Sequence, residues 1–496
     1  MTTAPITSTL CRNFINGQWV ESRSKQTIER RNPANLQEVT SVSPMSSRDD
    51  MREAIKAAKA AFPAWRDTPA PVRGKILARA AALMEKQKDA LARTLCREEG
   101  KTLKESLVEV QRSINILEFT AGEGRRMGGE TVPSELAKTI AYTIKQPLGV
   151  VGAITPWNFP VAIPVWKAAP ALVAGNTMVL KPAELTPECA AKIVEIFQEA
   201  GVPAGVLNMV LGAGEEVGDE LLRDPEVRAI SFTGSNEVGS LIYSLAAQQM
   251  KKCQCEMGGK NAVIVLRDAD LALATESVVL GAFGSSGQRC TATSRVVVEE
   301  AVADRFVEMI LERARKLKVG NGLDADVDVG PLVDEQQMKT VLRYLEIGKR
   351  EAKVRLGGAR MEGREHRDHN DGLFVAPTVF DHVPWDSTIA QEEIFGPVLS
   401  VIRVPDFDEA LRVANSVKYG LSSSLYTNDA RRIFEFIERI ETGITHVNAP
   451  TVASEAQMPF GGMKATGVGL REMGRVAIDF YTELKAVYID YTPPKT

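Results

Sequence analysis

Between Gly149 and the segment that follows Asn236, four short apolar runs alternate with four longer segments of helical pattern. Gly149–Ile154, Thr177–Lys181, Val206–Val210 and Ala229–Thr233 read as strands. Segments through Trp166–Val173, through Pro187–Ala200, from Glu215 and from Asn236 read as helices. A helix between consecutive strands carries the chain back to where the last strand began, so the strands lie parallel and the sheet needs cover on both faces. A second alternating region starts at Asn261–Val265 and continues through a strand at Arg295–Val298, a helix at Val302–Lys316 and strands up to His446. The expectation is an α/β chain of two or more domains, because 496 residues exceed what one hydrophobic core serves.

The regions outside that alternation carry weaker signals. Asn13–Val20 with an Asn16-Gly17 turn predicts a pair of short strands, and another strand precedes Asn32-Pro33. Asp49–Arg66 places Ala, Ile and Phe at helical spacing behind Ser46 or Ser47 as cap. Helical pattern continues from Val72 to about Glu123, with a break at Gly100. Gly357–Asp371 is polar and reads as an exposed loop, and Lys485–Tyr491 alternates as a strand that pairs outside its own domain.

Composition narrows the function class. The net charge of -4 and the absence of a basic stripe give no reason to expect nucleic acid. Arg313, Arg315, Lys316 and Lys318, the densest basic cluster, are flanked by acids and read as a solvated helix face. No apolar run approaches the ~18 residues of a bilayer span, so no membrane association is expected. Met1–Leu10 lacks the charged start and apolar centre of a secretory signal, and six scattered cysteines are not a disulfide framework, so a cytoplasmic location is expected.

Several short motifs carry chemistry, each with a plainer reading beside it. Cys290 follows Gly284-Ser285-Ser286-Gly287-Gln288-Arg289, where small residues permit close approach of backbone to a ligand and Arg289 would favour a thiolate. A buried structural cysteine is the commoner fate of such a residue. Glu256, in Glu256-Met257-Gly258-Gly259-Lys260, could serve as a general base or be a surface acid beside a turn. Phe232-Thr233-Gly234-Ser235 runs from a strand into a helix and offers backbone N–H groups to a phosphate, although it is not Gly-x-Gly-x-x-Gly. Lys181 and Glu184 at a strand end could hold a ribose or simply pair with each other. Asn158, between Trp157 and Phe159, offers an amide to an oxyanion, and Glu392-Glu393-Ile394-Phe395-Gly396-Pro397 adds an acid beside an aromatic and a turn. Cys253-Gln254-Cys255 points two thiols to one face, but no further His or Cys lies nearby to complete a zinc site, and no metal is expected.

In this order and spacing, these segments together with Pro459-Phe460-Gly461-Gly462 resemble the aldehyde dehydrogenase superfamily along nearly the whole chain. The resemblance implies a Rossmann-type cofactor domain over 1–126 and 147–256, an α/β catalytic domain over 257–465, and a small β oligomerisation element from 127–146 and 466–496. It implies that Cys290 attacks the aldehyde carbonyl, that Asn158 and the Cys290 backbone N–H hold the oxyanion, and that Glu256 activates the water that hydrolyses the thioester. Ile154, Thr155, Trp157, Lys181, Glu184, Gly234, Ser235, Glu393 and Phe395 would bind NAD or NADP, with NAD favoured because the Glu184 carboxylate would repel a 2′-phosphate.

The segments Gly443–Thr451 and Glu455–Gly467 are similar to those of bacterial α-ketoglutarate semialdehyde (2,5-dioxovalerate) dehydrogenases. That implies a short, acid-bearing aldehyde in a pocket walled by Phe159, Trp166 and Phe460, with Arg112 or Arg289 pairing the distal carboxylate. A structural ion pair is the alternative for either arginine. Succinate semialdehyde or a broad aldehyde range is the alternative substrate, and a CoA-acylating enzyme or a non-catalytic relative is the alternative function. A homodimer or homotetramer is expected, with the terminal strand pairing across subunits.

Overall fold

The computed structural model describes residues 8–361 and 372–494, so most of the loop expected at Gly357–Asp371 lies outside the described residues. Five parallel strands form the centre of an eight-stranded sheet, in the order Lys252–Glu256, Val227–Thr233, Val150–Ile154, Thr177–Lys181 and Leu207–Met209. The chain enters at Val150–Ile154, winds two strands to one side, then returns to lay Val227–Thr233 on the other. That reversal opens a crevice at the carboxyl ends of the two strands, the usual ligand position in open α/β sheets. The Asn13–Ile15 and Gln18–Val20 hairpin, turned by Asn16 and Gly17 at positive φ, extends one edge.

A seven-stranded sheet follows, parallel except for its edge strand Lys353–Leu356, with Asn261–Val265 and Thr293–Glu299 near its middle. Only Met257–Lys260 separates the last strand of the first sheet from the first strand of the second. In front of the first sheet, Ala162–Ala174 is buried along its whole length, as its near-continuous apolar sequence requires. Leu103–Glu123 packs across that helix and starts with a reciprocal cap, in which Thr102 Oγ1 accepts from Glu105 N–H while the Glu105 carboxylate accepts from Thr102 N–H. The helical stretch expected from Val72 is three helices, broken at Gln87 and at Gly100, whose φ of 101° suits the left-handed cap. The helix expected from Glu215 is a single wide turn, Gly214–Gly218, running into Asp219–Arg223.

Pairing near the end of the chain departs from expectation at one segment. Thr482–Asp490 pairs antiparallel with Thr139–Pro147 of the same chain, in a three-stranded sheet separate from the other two. The terminal strand thus pairs along one side with a strand of the same chain and forms an edge of that sheet. Gly467–Val468, expected with the oligomerisation element, hydrogen-bonds instead to Cys255 and Glu256 at the edge of the first sheet, because that edge would otherwise be open. Asn176 ties the third sheet to the first. Its fully buried amide accepts from the N–H groups of Leu148 and Gly149 and donates to the carbonyls of Ala171 and Tyr481. Asn176→Ala removes these four hydrogen bonds and is expected to destabilise the protein by about 2–4 kcal/mol, read as a lower urea midpoint. An unchanged midpoint would show that the tie carries no weight.

Candidate active site

The link between the sheets sets the geometry of Glu256 and Cys290. Glu256 ends the first sheet and Asn261 starts the second, and Asn261 Nδ2 donates to the carbonyls of Cys290 and Ala292, each at 2.8 Å. Gly258 and Gly259 lie between them against functional groups: a Cβ at Gly258 would sit 2.2 Å from Glu393 Oε2, and one at Gly259 would sit 2.6 Å from the Cys290 carbonyl. Gly259 N–H donates to Glu393 Oε1 at 2.9 Å. Cys290 itself follows a tight turn in which Ser285, Ser286 and Gly287 all have positive φ. At Gly287 a side chain would meet the Gly396 carbonyl at 2.0 Å, which explains the glycine there.

Buried charge and its absence govern the acid–base state. Burial pushes the Cys290 thiol up to about 12; the carboxylates of Glu393 and Glu256 push it the same way, and the Arg112 guanidinium opposes them. Arg289, expected to favour the thiolate, is spent elsewhere: its Nη2 meets Glu105 Oε1 at 3.0 Å and its Nε meets Ser285 Oγ at 3.0 Å. Glu256 is buried, with one hydrogen bond from Gly462 N–H at 3.3 Å, and its carboxyl is held well above the usual range by burial and by the neighbouring Glu472. Glu472 in turn pairs with the buried Lys167. These last two residues escaped the motif reading. Lys167 left a trace, as the lone charge in an apolar helix, but Glu472 lies in a segment with no pattern.

Beside Cys290 lies a cavity of about 340 Å³, lined by Arg112, Phe159, Trp166, Arg289, Phe460 and Cys290 among others, so all five residues expected at the substrate meet there. Trp166 and Phe460 stack at 5.3 Å, and the Arg112 guanidinium lies 5.1 Å and 5.7 Å from their ring centres. Among the described residues Arg112 has no carboxylate partner; its Nη2 meets only the Met473 sulfur, at 3.3 Å, and its Nε is buried without a partner. The structural ion pair thus holds for Arg289 and not for Arg112. Asn158 is buried, and its Nδ2 donates to the Gln288 carbonyl at 3.1 Å, using one of two amide hydrogens.

The remaining expected residues cluster at the crevice of the first sheet. Ile154 and Thr155 close the first strand, and Trp157 packs edge-on to Phe395, ring centres 5.4 Å apart. Lys181 and Glu184 form an ion pair at the end of the adjacent strand. Gly234 and Ser235 lead into the helix Asn236–Gln248, where Ser235 Oγ accepts from Val238 N–H at 3.3 Å. The buried hydroxyls of Thr155 and Thr233 have no hydrogen-bond partner among the described residues. Idle hydroxyls beside a helix N-terminus fit the phosphates and sugars of a dinucleotide. Cys253 and Cys255 point the same way, Sγ atoms 3.6 Å apart, with no third metal ligand grouped near them among the described residues. No described helix is long and apolar enough to cross a membrane.

Residues 19–487 match the aldehyde dehydrogenase family. The chain belongs to that family and is an oxidoreductase acting on aldehydes. It is 46% identical over 478 residues to the alpha-ketoglutaric semialdehyde dehydrogenase of Bacillus subtilis, covering 96% of this chain and 97% of the relative. Its fold superposes with a TM-score of 0.94 on the betaine aldehyde dehydrogenase of Staphylococcus aureus solved with NAD+, at 36% identity over 98% of this chain and 96% of that one. An NADP dependent enzyme of E. coli matches with a TM-score of 0.93 and 39% identity, over 97% of this chain and 98% of that one.

Because the Arg112 charge opposes the effect of burial on Cys290, Arg112→Leu is expected to shift the pH dependence of Cys290 alkylation by iodoacetamide further to alkaline pH. An unshifted or faster reaction would remove Arg112 from this role.

Proposed function

We propose that the enzyme oxidises a short semialdehyde bearing a distal carboxylate, with 2,5-dioxovalerate as the favoured substrate, to the free dicarboxylic acid. The observation that carries this reading is Arg112: a cation at the wall of the Cys290 cavity, stacked on Trp166 and Phe460, with no carboxylate partner among the described residues. A charge so placed is costly to keep unless a ligand completes it. The B. subtilis relative is named for this same semialdehyde.

Cys290 adds to the aldehyde carbon as the thiolate, because an aldehyde cannot surrender hydride until that carbon is tetrahedral. The free hydrogen of the Asn158 amide and the Cys290 backbone N–H are assigned to the resulting oxyanion. A nicotinamide cofactor, when bound, supplies the hydride acceptor that takes the adduct to the thioester. Lys181 and Glu184 would hold its adenosine ribose, Gly234, Ser235, Thr155 and Thr233 its phosphates, and Ile154, Trp157, Glu393 and Phe395 its nicotinamide end. NAD is favoured over NADP because a 2′-phosphate would face Glu184. Glu256 takes the proton of the hydrolytic water. A carboxyl raised by burial is a stronger base once ionised, and Lys167 offsets the charge of the Glu472 behind it.

The eight-stranded, the seven-stranded and the terminal three-stranded sheet suit a division into cofactor, catalytic and oligomerisation units. Leu484, Tyr488 and Ile489 lie exposed on the third sheet, which supports assembly into a homodimer or homotetramer. Six free cysteines support a reducing, cytoplasmic setting.

Two measurements test the reading. Comparison of kcat/KM for 2,5-dioxovalerate, succinate semialdehyde and pentanal is expected to favour the acids. In Arg112→Leu the acid-to-pentanal ratio should fall about 10- to 100-fold, the worth of a charged hydrogen bond; the ratio cancels any shared effect on Cys290. Equal use of pentanal by the native enzyme would sink the charge reading. Glu256→Gln is expected to give one burst of reduced cofactor per site and then turnover slowed about 10²- to 10⁴-fold. Undiminished steady turnover, or a requirement for CoA in the native enzyme, would overturn hydrolysis through Glu256.

A further inference from the structure

The Cys290 cavity carries a charge that the chain as a whole does not. Six ionisable side chains other than Cys290 line it: Lys101, Lys104, Arg112 and Arg289 against Glu105 and Glu109, an excess of two positive charges in a protein of net charge -4. Both carboxylates are taken. Glu105 is bound by Arg289 at 3.0 Å and by Ser285 N–H at 2.6 Å. Glu109 is bound by Lys101 at 2.6 Å and by the N–H groups of Val161 and Ala162 at 2.9 Å and 3.1 Å. The excess therefore rests on Lys104 and Arg112, neither of which has a salt bridge among the described residues.

These two cations lie in a line. Lys104, Val108 and Arg112 are spaced four apart on the helix Leu103–Glu123 and all line the cavity, so they share one face. Lys104 and Val108 are exposed and Arg112 is withdrawn beside Trp166. Two turns of helix, about 12 Å, separate an outer cation from an inner one. Val108, 69% exposed between them, adds an apolar step without a competing charge.

We propose that Lys104 is the entry residue for anionic aldehydes, gathering the substrate carboxylate at the mouth of the cavity before it reaches Arg112. The proposal rests on the acid-bearing substrate argued above. An exposed charge at a mouth acts at long range and is screened by salt, so it raises the local concentration of the anion whether capture or a binding equilibrium limits kcat/KM. It does not touch the reacting carbon, so it acts on KM and leaves kcat alone.

The test measures kcat and KM of the native enzyme, Lys104→Met and Lys104→Glu for 2,5-dioxovalerate and for pentanal, from about 10 mM to 500 mM salt. For the anion at low salt, kcat/KM is expected to fall about three- to tenfold in Lys104→Met and further in Lys104→Glu, converging on the native value at high salt. Its kcat should hold, and pentanal should show no such ladder. Native-like salt dependence in both variants overturns the role of Lys104, as does a loss shared equally by pentanal or seen only in kcat. If the acid-bearing reading itself is at fault, the native enzyme will use both aldehydes equally at every salt, a result distinct from either.

Discussion

Four residues, Met257–Lys260, join two sheets whose strand ends must both reach the same small volume. Glu256 is fixed by the last hydrogen bonds of one sheet and Asn261 by the first of the other, and the Asn261 amide holds the backbone of Cys290. A link this short leaves little freedom in how Glu256 and Cys290 face each other. It also crowds the backbone, and the glycines at 258 and 259 are the response: side chains there would displace Glu393 and the Cys290 carbonyl. The placement of these groups is a property of strand ends and a tight link, which hold groups more rigidly than loops do.

Around that link, charge is managed by pairing. Lys101 with Glu109 and Lys167 with Glu472 are buried pairs, each with a further hydrogen bond from the lysine. Such pairs add little stability for their desolvation cost, but they fix the helices that carry them. Glu109 shows this directly, because it also accepts the first N–H groups of the helix that bears Trp166 and Lys167. Three of the groups near that link form no ion pair among the described residues: the Cys290 thiol, the Glu256 carboxyl and the Arg112 guanidinium. Burial disfavours the charged form of each, so burial draws the thiol and the carboxyl upward and the guanidinium down to about 10. A ligand that brings a carboxylate and an electrophilic carbon answers two of the three at once.

Much of this was legible in the chain. Alternating strands and helices specify a covered parallel sheet, because an apolar five-residue strand followed by an amphipathic helix has few other stable arrangements. Motif order singled out Cys290, Glu256 and Asn158, and the glycines beside them signalled the close approach of backbone that the fold shows. Helix breaks at Gly100 and the Asn16-Gly17 turn were readable because left-handed backbone favours so few residues.

What the chain could not reveal depends on residues distant in sequence. Arg112 and Arg289 look alike as arginines near motifs; only packing shows that Arg289 is neutralised by Glu105, 184 positions away, and that Arg112 is not. The partner of the terminal strand, the pairing of Gly467–Val468 with the first sheet, and the Glu472 behind Glu256 are likewise contacts between segments that no local pattern links. Local propensity and motif spacing are properties of neighbouring residues and are written in the sequence. The charge left over in a cavity is a sum over groups brought together by folding, and only the tertiary structure decides it.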